Sequence, residues 1–185
     1  MAEEIIEQGY RELADTILEH NPGVDLGRVR AAFELADRAH SGQKRKAGTP
    51  YVTHCVAAAQ ICAEMGLDED SIVAALLHDC IEDTAITHED IARQFGAEVA
   101  DIVAGVTTLT RVQFTSREDE QMENLRKMLM AMAKDIRVIL IKIADRLHNM
   151  RTMEYMVAQK QLEKSLETME IYAPIAHRLG LQKGK

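Results

Sequence analysis

AALLHDCIEDT, residues 74–84, is the stretch that decides the fold, because an apolar run ends there in ionisable side chains. The run is apolar on every face, which predicts a buried helix rather than an amphipathic surface helix. It leads directly into His78 and Asp79, and the carboxylates of Glu82 and Asp83 follow. Burying so many ionisable groups costs free energy unless a cation or a hydrogen-bond network compensates. For a His-Asp pair taken alone, a buried hydrogen bond explains the pattern better than a metal does, so the rest of the chain decides.

A second apolar helix is predicted over residues 136–150, and it also becomes polar at its end. Its polar side chains at positions i, i+3, i+4 and i+7 are Asp145, His148, Asn149 and Thr152. This spacing places all four on one helix face. A buried helix with such a polar end usually points that face into a cleft.

Two histidines and two aspartates form the candidate metal site: His54, His78, Asp79 and Asp145. Each lies at an end or in an early turn of a predicted helix, where a bundle brings side chains together in a cleft. The mixed nitrogen and oxygen donors suit Mn, Fe, Zn or another first-row divalent ion better than calcium or a thiolate-bound metal. Glu82 lies four positions beyond His78 and is placed to handle the proton of a metal-bound water.

Residues 42–51 form a loop shaped by glycine and proline that carries three consecutive cations, Lys44, Arg45 and Lys46. Such runs are commonly solvated surface. Their position just before His54 makes an anion-binding pocket an equally good interpretation. Both alternatives stay open on the loop alone.

Composition sets the broad class. The chain has 185 residues, 46% of them hydrophobic and 4% aromatic, with no tryptophan, which predicts one all-α domain spanning residues 1–185. The net charge of -8 argues against direct nucleic-acid binding. Without a membrane-length apolar run or a signal peptide, we expect a cytoplasmic protein. Cys55, Cys62 and Cys80 stand in apolar helical contexts and predict reduced core thiols.

The remaining elements follow from periodicity and capping signals. Asp25, Asp68 and the box of Thr87 and Asp90 are predicted N-terminal caps, and Gly66 is a predicted C-terminal glycine. Residues 107–119 show no clean period and predict a surface loop that acts as a lid. Further helices are predicted over residues 5–18, 53–65, 125–132 and 159–173, followed by a turn from Pro174.

Five stretches resemble the N-terminal hydrolase domain of the RelA/SpoT (Rel) enzymes, within the HD-domain metal-dependent phosphohydrolases. They are RKAGTPYVTH (45–54), AALLHDCIEDT (74–84), VTTLT (106–110), IKIADRLHNMRT (141–152) and ETMEIYAPIAHRLGL (167–181). The resemblance covers nearly the whole chain and implies an HD-domain helical bundle. It also implies Mn²⁺-dependent hydrolysis of the 3′-pyrophosphate of ppGpp and pppGpp, giving GDP or GTP and pyrophosphate in the stringent response.

The resemblance also assigns roles to residues. His54, His78, Asp79 and Asp145 match the metal ligands, and Glu82 and Asp83 match the catalytic acidic pair. Substrate-binding positions matched in the same way are Arg45, Lys46, Asn149 and Thr152. From their place near the Asp145 end of the second helix, Lys142 and Arg151 are candidates to complete a basic mouth for the nucleotide, and plain surface positions fit both residues equally well.

Two features depart from the family pattern or extend it. Ala47 stands where relatives often carry serine, which removes one polar substrate contact. The block at residues 167–181 resembles the long Rel enzymes, which continue into synthetase and regulatory domains. We therefore expect a hydrolase domain excised from a longer bifunctional enzyme.

Two alternatives remain. An HD phosphohydrolase acting on another substrate, such as a dNTP, a nucleoside monophosphate or a cyclic nucleotide, would share the metal set but not the basic loop. An inactive module that only binds the alarmone would need a damaged site, and every motif residue is present here.

Overall fold

The computed structural model describes residues 1–110, 122–123, 125–127, 130 and 134–152, and the regular structure in these ranges is helical. Its named helices are α1 (Ala2–His20), α2 (Leu26–Ala39), α3 (Val52–Glu64), α4 (Glu69–Leu77), α5 (Cys80–Asp83), α6 (His88–Phe95), α7 (Ala97–Thr110) and α8 (Ile136–Arg151). Extended pairing in the described ranges is limited to one isolated bridge between Lys44 and Pro50. The all-α prediction is confirmed. None of the helices described is both long enough and apolar enough to cross a membrane.

Helix α4 forms the centre of the bundle. All seven of its residues from Ser71 to Leu77 are buried, as the all-round apolar pattern predicts. It packs against α2, α3, α7 and α8. Each fully buried leucine or isoleucine side chain contributes about 1.5–3 kcal/mol to stability. The packing therefore fixes the end of α4, where the ionisable residues begin.

The predicted caps are confirmed. The Asp25 carboxylate accepts from two backbone N–H groups at the start of α2, and Asp68 accepts from Ser71 N at the start of α4. Thr87 and Asp90 form the reciprocal capping box of α6. Gly66 has a φ of +72° just after α3, a conformation that glycine adopts without strain.

The predicted loop over residues 107–119 is wrong at its start, because α7 continues to Thr110. The hydroxyls of Thr107, Thr108 and Thr110 each donate to the backbone carbonyl four residues earlier, which satisfies these side chains within the helix. Leu109 is buried and continues the apolar face. Residues 111–119 lie outside the described ranges, as do part of the helix predicted over 125–132, all of that over 159–173 and the turn from Pro174.

The three cysteines are free and buried, as predicted. Burial raises the pKa of the Cys62 and Cys80 thiols to about 12. A thiol with so high a pKa is a poor nucleophile at neutral pH, so these side chains act as core residues.

Candidate metal centre and adjoining cleft

The four predicted ligands lie together. His54 comes from the first turn of α3, His78 and Asp79 from the junction of α4 and α5, and Asp145 from α8. One ligand atom from each lies within 4.8 Å of all the others, and all four residues are buried. Asp145 lies inside α8 rather than at its end as expected, and the bundle brings it to His54, 91 positions away in sequence.

The junction of α4 and α5 determines the positions of the His78 and Asp79 side chains. Helix α4 ends at Leu77, and the backbone N–H of His78 bonds to the carbonyl of Ala75 in a tighter turn. Asp79 then precedes the short helix α5, which carries Glu82 and Asp83. The break places His78 and Asp79 at the end of a buried helix rather than inside it.

The tautomer of His78 suits a metal ligand. Its Nδ1 lies 2.6 Å from the carbonyl oxygen of Ala75, which can only accept, so Nδ1 carries a proton. Its Nε2 faces Asp79 Oδ2 at 3.0 Å and Asp145 Oδ1 at 3.5 Å, and is buried without a hydrogen bond to any described residue. An imidazole nitrogen so placed between two carboxylate oxygens fits a cation.

The two carboxylates are held ionised. Burial raises the pKa of an aspartate, but Lys142, His54 and His78 outweigh it and hold the pKa of Asp145 well below its usual value. His78 likewise lowers the pKa of Asp79 to about 2 against the effect of burial. Two neutral imidazoles and two carboxylates give a ligand charge that matches a divalent cation.

The pKa of His78 indicates that a proton binds to this ring when no cation is present. Burial lowers the pKa of a histidine, but the neighbouring carboxylates of Asp79 and Asp145 outweigh it and raise the pKa of His78 well above its usual value. A proton thus competes for the place a metal ion would take, as expected of a metal site.

His148 contacts the candidate metal site, a contact that its predicted place on the polar face of the helix did not specify. Its Nδ1 lies 2.6 Å from Nδ1 of His54. Burial, with help from His54 and Arg45, lowers the pKa of His148 to about 3, so the ring is neutral. When His54 offers its Nε2 to a cation, its Nδ1 carries the proton and donates to His148, which fixes the ring of His54.

Tyr51 is a second contact that sequence reasoning missed. Its hydroxyl donates to Asp79 Oδ2 at 2.7 Å, and its ring packs on His40 with centroids 4.7 Å apart. The sequence signal was weak, since Tyr51 simply ends the basic loop three residues before His54. Its hydrogen bond crosses 28 positions of sequence and needs the folded bundle.

The basic loop is folded against α8. Arg45 donates through Nη2 to Asn149 Oδ1 at 3.1 Å and to Thr152 Oγ1 at 3.2 Å. The loop turns back at Gly48, whose φ is +86°, and the Arg45 N–H bonds to the Thr49 carbonyl at 2.8 Å. Arg45 therefore contacts two other predicted substrate-binding residues. This contact favours the interpretation of the loop as part of an anion-binding pocket over that of a solvated surface loop.

A cavity of about 490 Å³ lies between the loop and the end of α8. Its lining residues are Lys44, Arg45, Lys46, Ala47, Thr49, Tyr51, Thr53, His148 and Thr152. The volume is typical of a small-molecule site. Because Tyr51 and His148 also contact Asp79 and His54, the cavity adjoins the metal site.

The other predicted site residues lie in different environments. Glu82 and Asp83 are exposed on α5. The Asp83 carboxyl group is still partly shielded from solvent, and this shielding together with the Asp79 charge raises its pKa. Arg151 is exposed on the last turn of α8. Lys142 is not in the mouth of the cavity: it is buried, and its ammonium group binds Asp145 and Thr110.

Comparison with known proteins gives one family. The HD domain model matches residues 32–182. The bifunctional (p)ppGpp synthase/hydrolase SpoT of Escherichia coli K12 is 49% identical over 172 residues, which are 93% of this chain and 24% of that protein. A GTP pyrophosphokinase of Streptomyces coelicolor is 53% identical over 156 residues, 84% of this chain and 18% of that protein. The chain thus spans about a quarter or less of the length of these relatives.

A solved structure is also similar. It belongs to a metazoan ortholog of SpoT that hydrolyzes ppGpp, with a TM-score of 0.59, 28% sequence identity, and coverage of 83% of this chain and 96% of that one. Together, the helical bundle, the converging histidines and aspartates and the match over residues 32–182 show that the chain belongs to the HD domain family.

Proposed function

We propose that this chain is a metal-dependent hydrolase that removes the 3′-pyrophosphate from ppGpp and pppGpp, giving GDP or GTP and pyrophosphate. The observation that carries the proposal is the four-residue metal site beside a basic cavity of nucleotide size. The names of the relatives support it, since an enzyme of Escherichia coli O157:H7 that is 49% identical is a guanosine-3′,5′-bis(diphosphate) 3′-pyrophosphohydrolase.

Mn²⁺ is the ion that we propose for His54, His78, Asp79 and Asp145, on the ground that mixed imidazole and carboxylate donors suit it. A divalent ion bound here would polarise a phosphoryl oxygen and lower the pKa of a water molecule. Tyr51 and His148 hold the side chains of Asp79 and His54 in place for it.

We assign proton transfer to Glu82 and Asp83. Both lie on α5, directly after the ligands His78 and Asp79. Their exposure leaves them accessible to a water molecule and to a substrate. A carboxylate in such a position accepts the proton of the attacking water and passes it to the leaving group.

Substrate binding is assigned to the cavity. Lys44, Arg45 and Lys46 supply positive charge in a protein of net charge -8, so this cavity is where a highly anionic nucleotide is attracted. Arg45 uses Nη2 to hold Asn149 and Thr152, and a guanidinium group has further N–H donors for phosphate. Arg151, exposed at the end of α8, is proposed as an additional cation at this mouth.

We also propose that the enzyme acts in the cytoplasm in the stringent response, as one hydrolase unit of a longer synthetase/hydrolase chain. Three buried free thiols support a reducing compartment, and the bifunctional name of the E. coli relative supports the longer chain. The single domain spanning residues 1–185 stays a prediction.

A substrate panel tests the proposal. The Mn²⁺-loaded chain is incubated in turn with ppGpp, pppGpp, a dNTP, a nucleoside monophosphate and a cyclic nucleotide, and the products are separated by ion-exchange chromatography. We expect GDP from ppGpp and GTP from pppGpp, each with one pyrophosphate, and little turnover of the others. Preferred hydrolysis of another nucleotide would contradict the proposed substrate while leaving an HD phosphohydrolase in place.

A further inference from the structure

Lys142 is a buried cation beside a proposed metal ligand. Its side chain is 2% exposed, and Nζ lies 2.9 Å from Asp145 Oδ2, one helical turn along α8. Nζ also lies 2.9 Å from Thr110 Oγ1 at the end of α7. A buried ammonium group is costly unless it is paired and hydrogen-bonded, so these two contacts determine where Nζ lies.

The hydrogen bonds at Lys142 have a fixed direction. Thr110 donates its hydroxyl proton to the carbonyl of Val106 at 3.0 Å, so its oxygen accepts from Lys142. Lys142 has three N–H donors and no acceptor, so it donates to Asp145 as well. These hydrogen bonds connect the end of α7, through Lys142, to the carboxylate of Asp145.

The two oxygens of Asp145 therefore differ. Oδ2 is bound by Lys142, whereas Oδ1 faces the other ligands, 2.7 Å from His54 Nε2 and 3.5 Å from His78 Nε2, and also accepts from Asn149 Nδ2 at 3.3 Å. A free carboxylate can rotate and coordinate a cation through either oxygen or through both. With Oδ2 held, Asp145 presents only Oδ1 to the site.

We propose that Lys142 is a positioning residue, held by Thr110, that fixes the Asp145 carboxylate so that Oδ1 alone faces the metal. The inference rests on the metal site of the proposed function. It replaces the sequence-based expectation that Lys142 binds substrate in the cavity.

The direction of the change in metal affinity distinguishes a positioning role of Lys142 from an effect of its charge alone. An ammonium group beside a ligand repels a divalent cation, so if Lys142 acted through its charge alone, removing the charge would tighten metal binding. If Lys142 positions Asp145, removing it frees the carboxylate and weakens binding. Loss of a residue that orients a metal ligand typically weakens metal binding by about 10–100-fold.

The test measures Mn²⁺ affinity by calorimetry and the electron paramagnetic resonance spectrum of bound Mn²⁺. Lys142→Met keeps the length of the side chain and removes its donors. Thr110→Val removes the acceptor that holds Lys142, whereas Thr110→Ser keeps it. Lys134→Met is the control for the loss of one lysine, since Lys134 is exposed before α8.

We expect Lys142→Met to bind Mn²⁺ about 10–100-fold more weakly, with an altered spectrum. Thr110→Val should change the Mn²⁺ affinity and the spectrum in the same direction as Lys142→Met, but by a smaller amount. Thr110→Ser and Lys134→Met should match the wild type. If Lys142→Met fails to fold, the comparison of Thr110→Val with Thr110→Ser decides.

Unchanged or tighter Mn²⁺ binding by folded Lys142→Met, with a wild-type spectrum, would overturn the positioning role while the metal site stands. If Lys142→Met fails to fold, wild-type binding by Thr110→Val would overturn the role in the same way. A wild-type chain that binds no Mn²⁺ would instead overturn the metal site itself, and the inference with it.

Discussion

Asp79 contacts several groups of the site at once. Its Oδ2 accepts from the Tyr51 hydroxyl at 2.7 Å and lies 3.0 Å from His78 Nε2. Removing this carboxylate takes one proposed ligand from the metal site and leaves a half-buried tyrosine hydroxyl without its acceptor. Such an unsatisfied group costs about 1–3 kcal/mol when it is buried.

Asp79→Ala is therefore expected to lose both metal and activity, with at least a 100-fold fall in Mn²⁺ affinity, about the upper end of the loss seen when an outer residue of a metal site is removed. Metal content after gel filtration and the rate of ppGpp hydrolysis are the measurements. Asp101→Ala removes an exposed carboxylate on α7 and serves as the control. Full metal retention by Asp79→Ala would show that this carboxylate is not a ligand.

The proton-transfer role proposed for Glu82 can be separated from metal binding by experiment. We expect Glu82→Gln to bind Mn²⁺ like the wild type and to lose about 10²–10⁴-fold in kcat, the usual contribution of a positioned proton-transfer group. Glu89→Gln changes an exposed carboxylate at the start of α6 and should leave kcat unchanged. Normal turnover by Glu82→Gln would assign proton transfer to another group, with Asp83 the first to examine.

At the scale of elements, the basic loop and α8 form one wall of the cavity because Arg45 bonds to Asn149 and Thr152. A lysine keeps the charge but loses the planar guanidinium group, whose Nη2 reaches both partners. Arg45→Lys should raise KM for ppGpp about tenfold, equivalent to about 1.4 kcal/mol of lost binding, and change kcat less. Steady-state kinetics check this, with Arg93→Lys on the exposed face of α6 as the control. A KM equal to that of the wild type would show that the guanidinium group of Arg45 does not contribute to substrate binding.

A second junction joins α4, α7 and α8 through Arg137. Its guanidinium group pairs with Asp68 and Asp135 at 2.7 Å and also bonds to Glu98. The hydrogen bond from Arg137 lowers the pKa of Asp135. Asp135 also caps α8 by accepting from the backbone N–H of Arg137.

This junction predicts a pH dependence of stability. A carboxylate whose pKa is lower in the folded state stabilises the protein above its unfolded pKa, here 3.8, and the contribution is lost as pH falls through the lower folded value. Asp135→Asn keeps the cap, because asparagine caps as well as aspartate, and removes the charge. We expect it to lower the urea midpoint at pH 7 and to differ less from the wild type at pH 3. An equal difference at both pH values would contradict the charge contribution of Asp135.

The same elements show which parts of the fold and of the candidate site can be predicted from the sequence. The apolar run before His78 and the i+3 and i+4 spacing after Asp145 predict which residues share a helix end, since helix geometry is local. The contacts of Tyr51 with Asp79 and of Lys142 with Thr110 cross 28 and 32 positions, and no local pattern specifies them. For the same reason the sequence leaves two interpretations of the three loop cations open, and the contact of Arg45 with α8 favours the anion-binding pocket.

For the whole molecule, the arrangement places a cationic cavity on an acidic chain of net charge -8. The buried helix α4 holds the candidate metal site at its end, and its neighbours α3 and α8 bring the other candidate ligands. A rigid core thus positions the proposed ligands, while the exposed Glu82 and Asp83 of α5 and the loop at residues 42–51 carry the groups proposed to meet substrate. This separation of scaffold from chemistry is common in folded enzymes.

The most direct test of the central claim is release of pyrophosphate from ppGpp by the purified chain, followed with Mn²⁺, with a chelator, and with Mn²⁺ restored after chelation. We predict equimolar GDP and pyrophosphate with Mn²⁺, no release with the chelator, and recovery when Mn²⁺ is returned. A folded, Mn²⁺-loaded chain that leaves ppGpp intact, or one that cleaves it equally well with the chelator, would contradict the account.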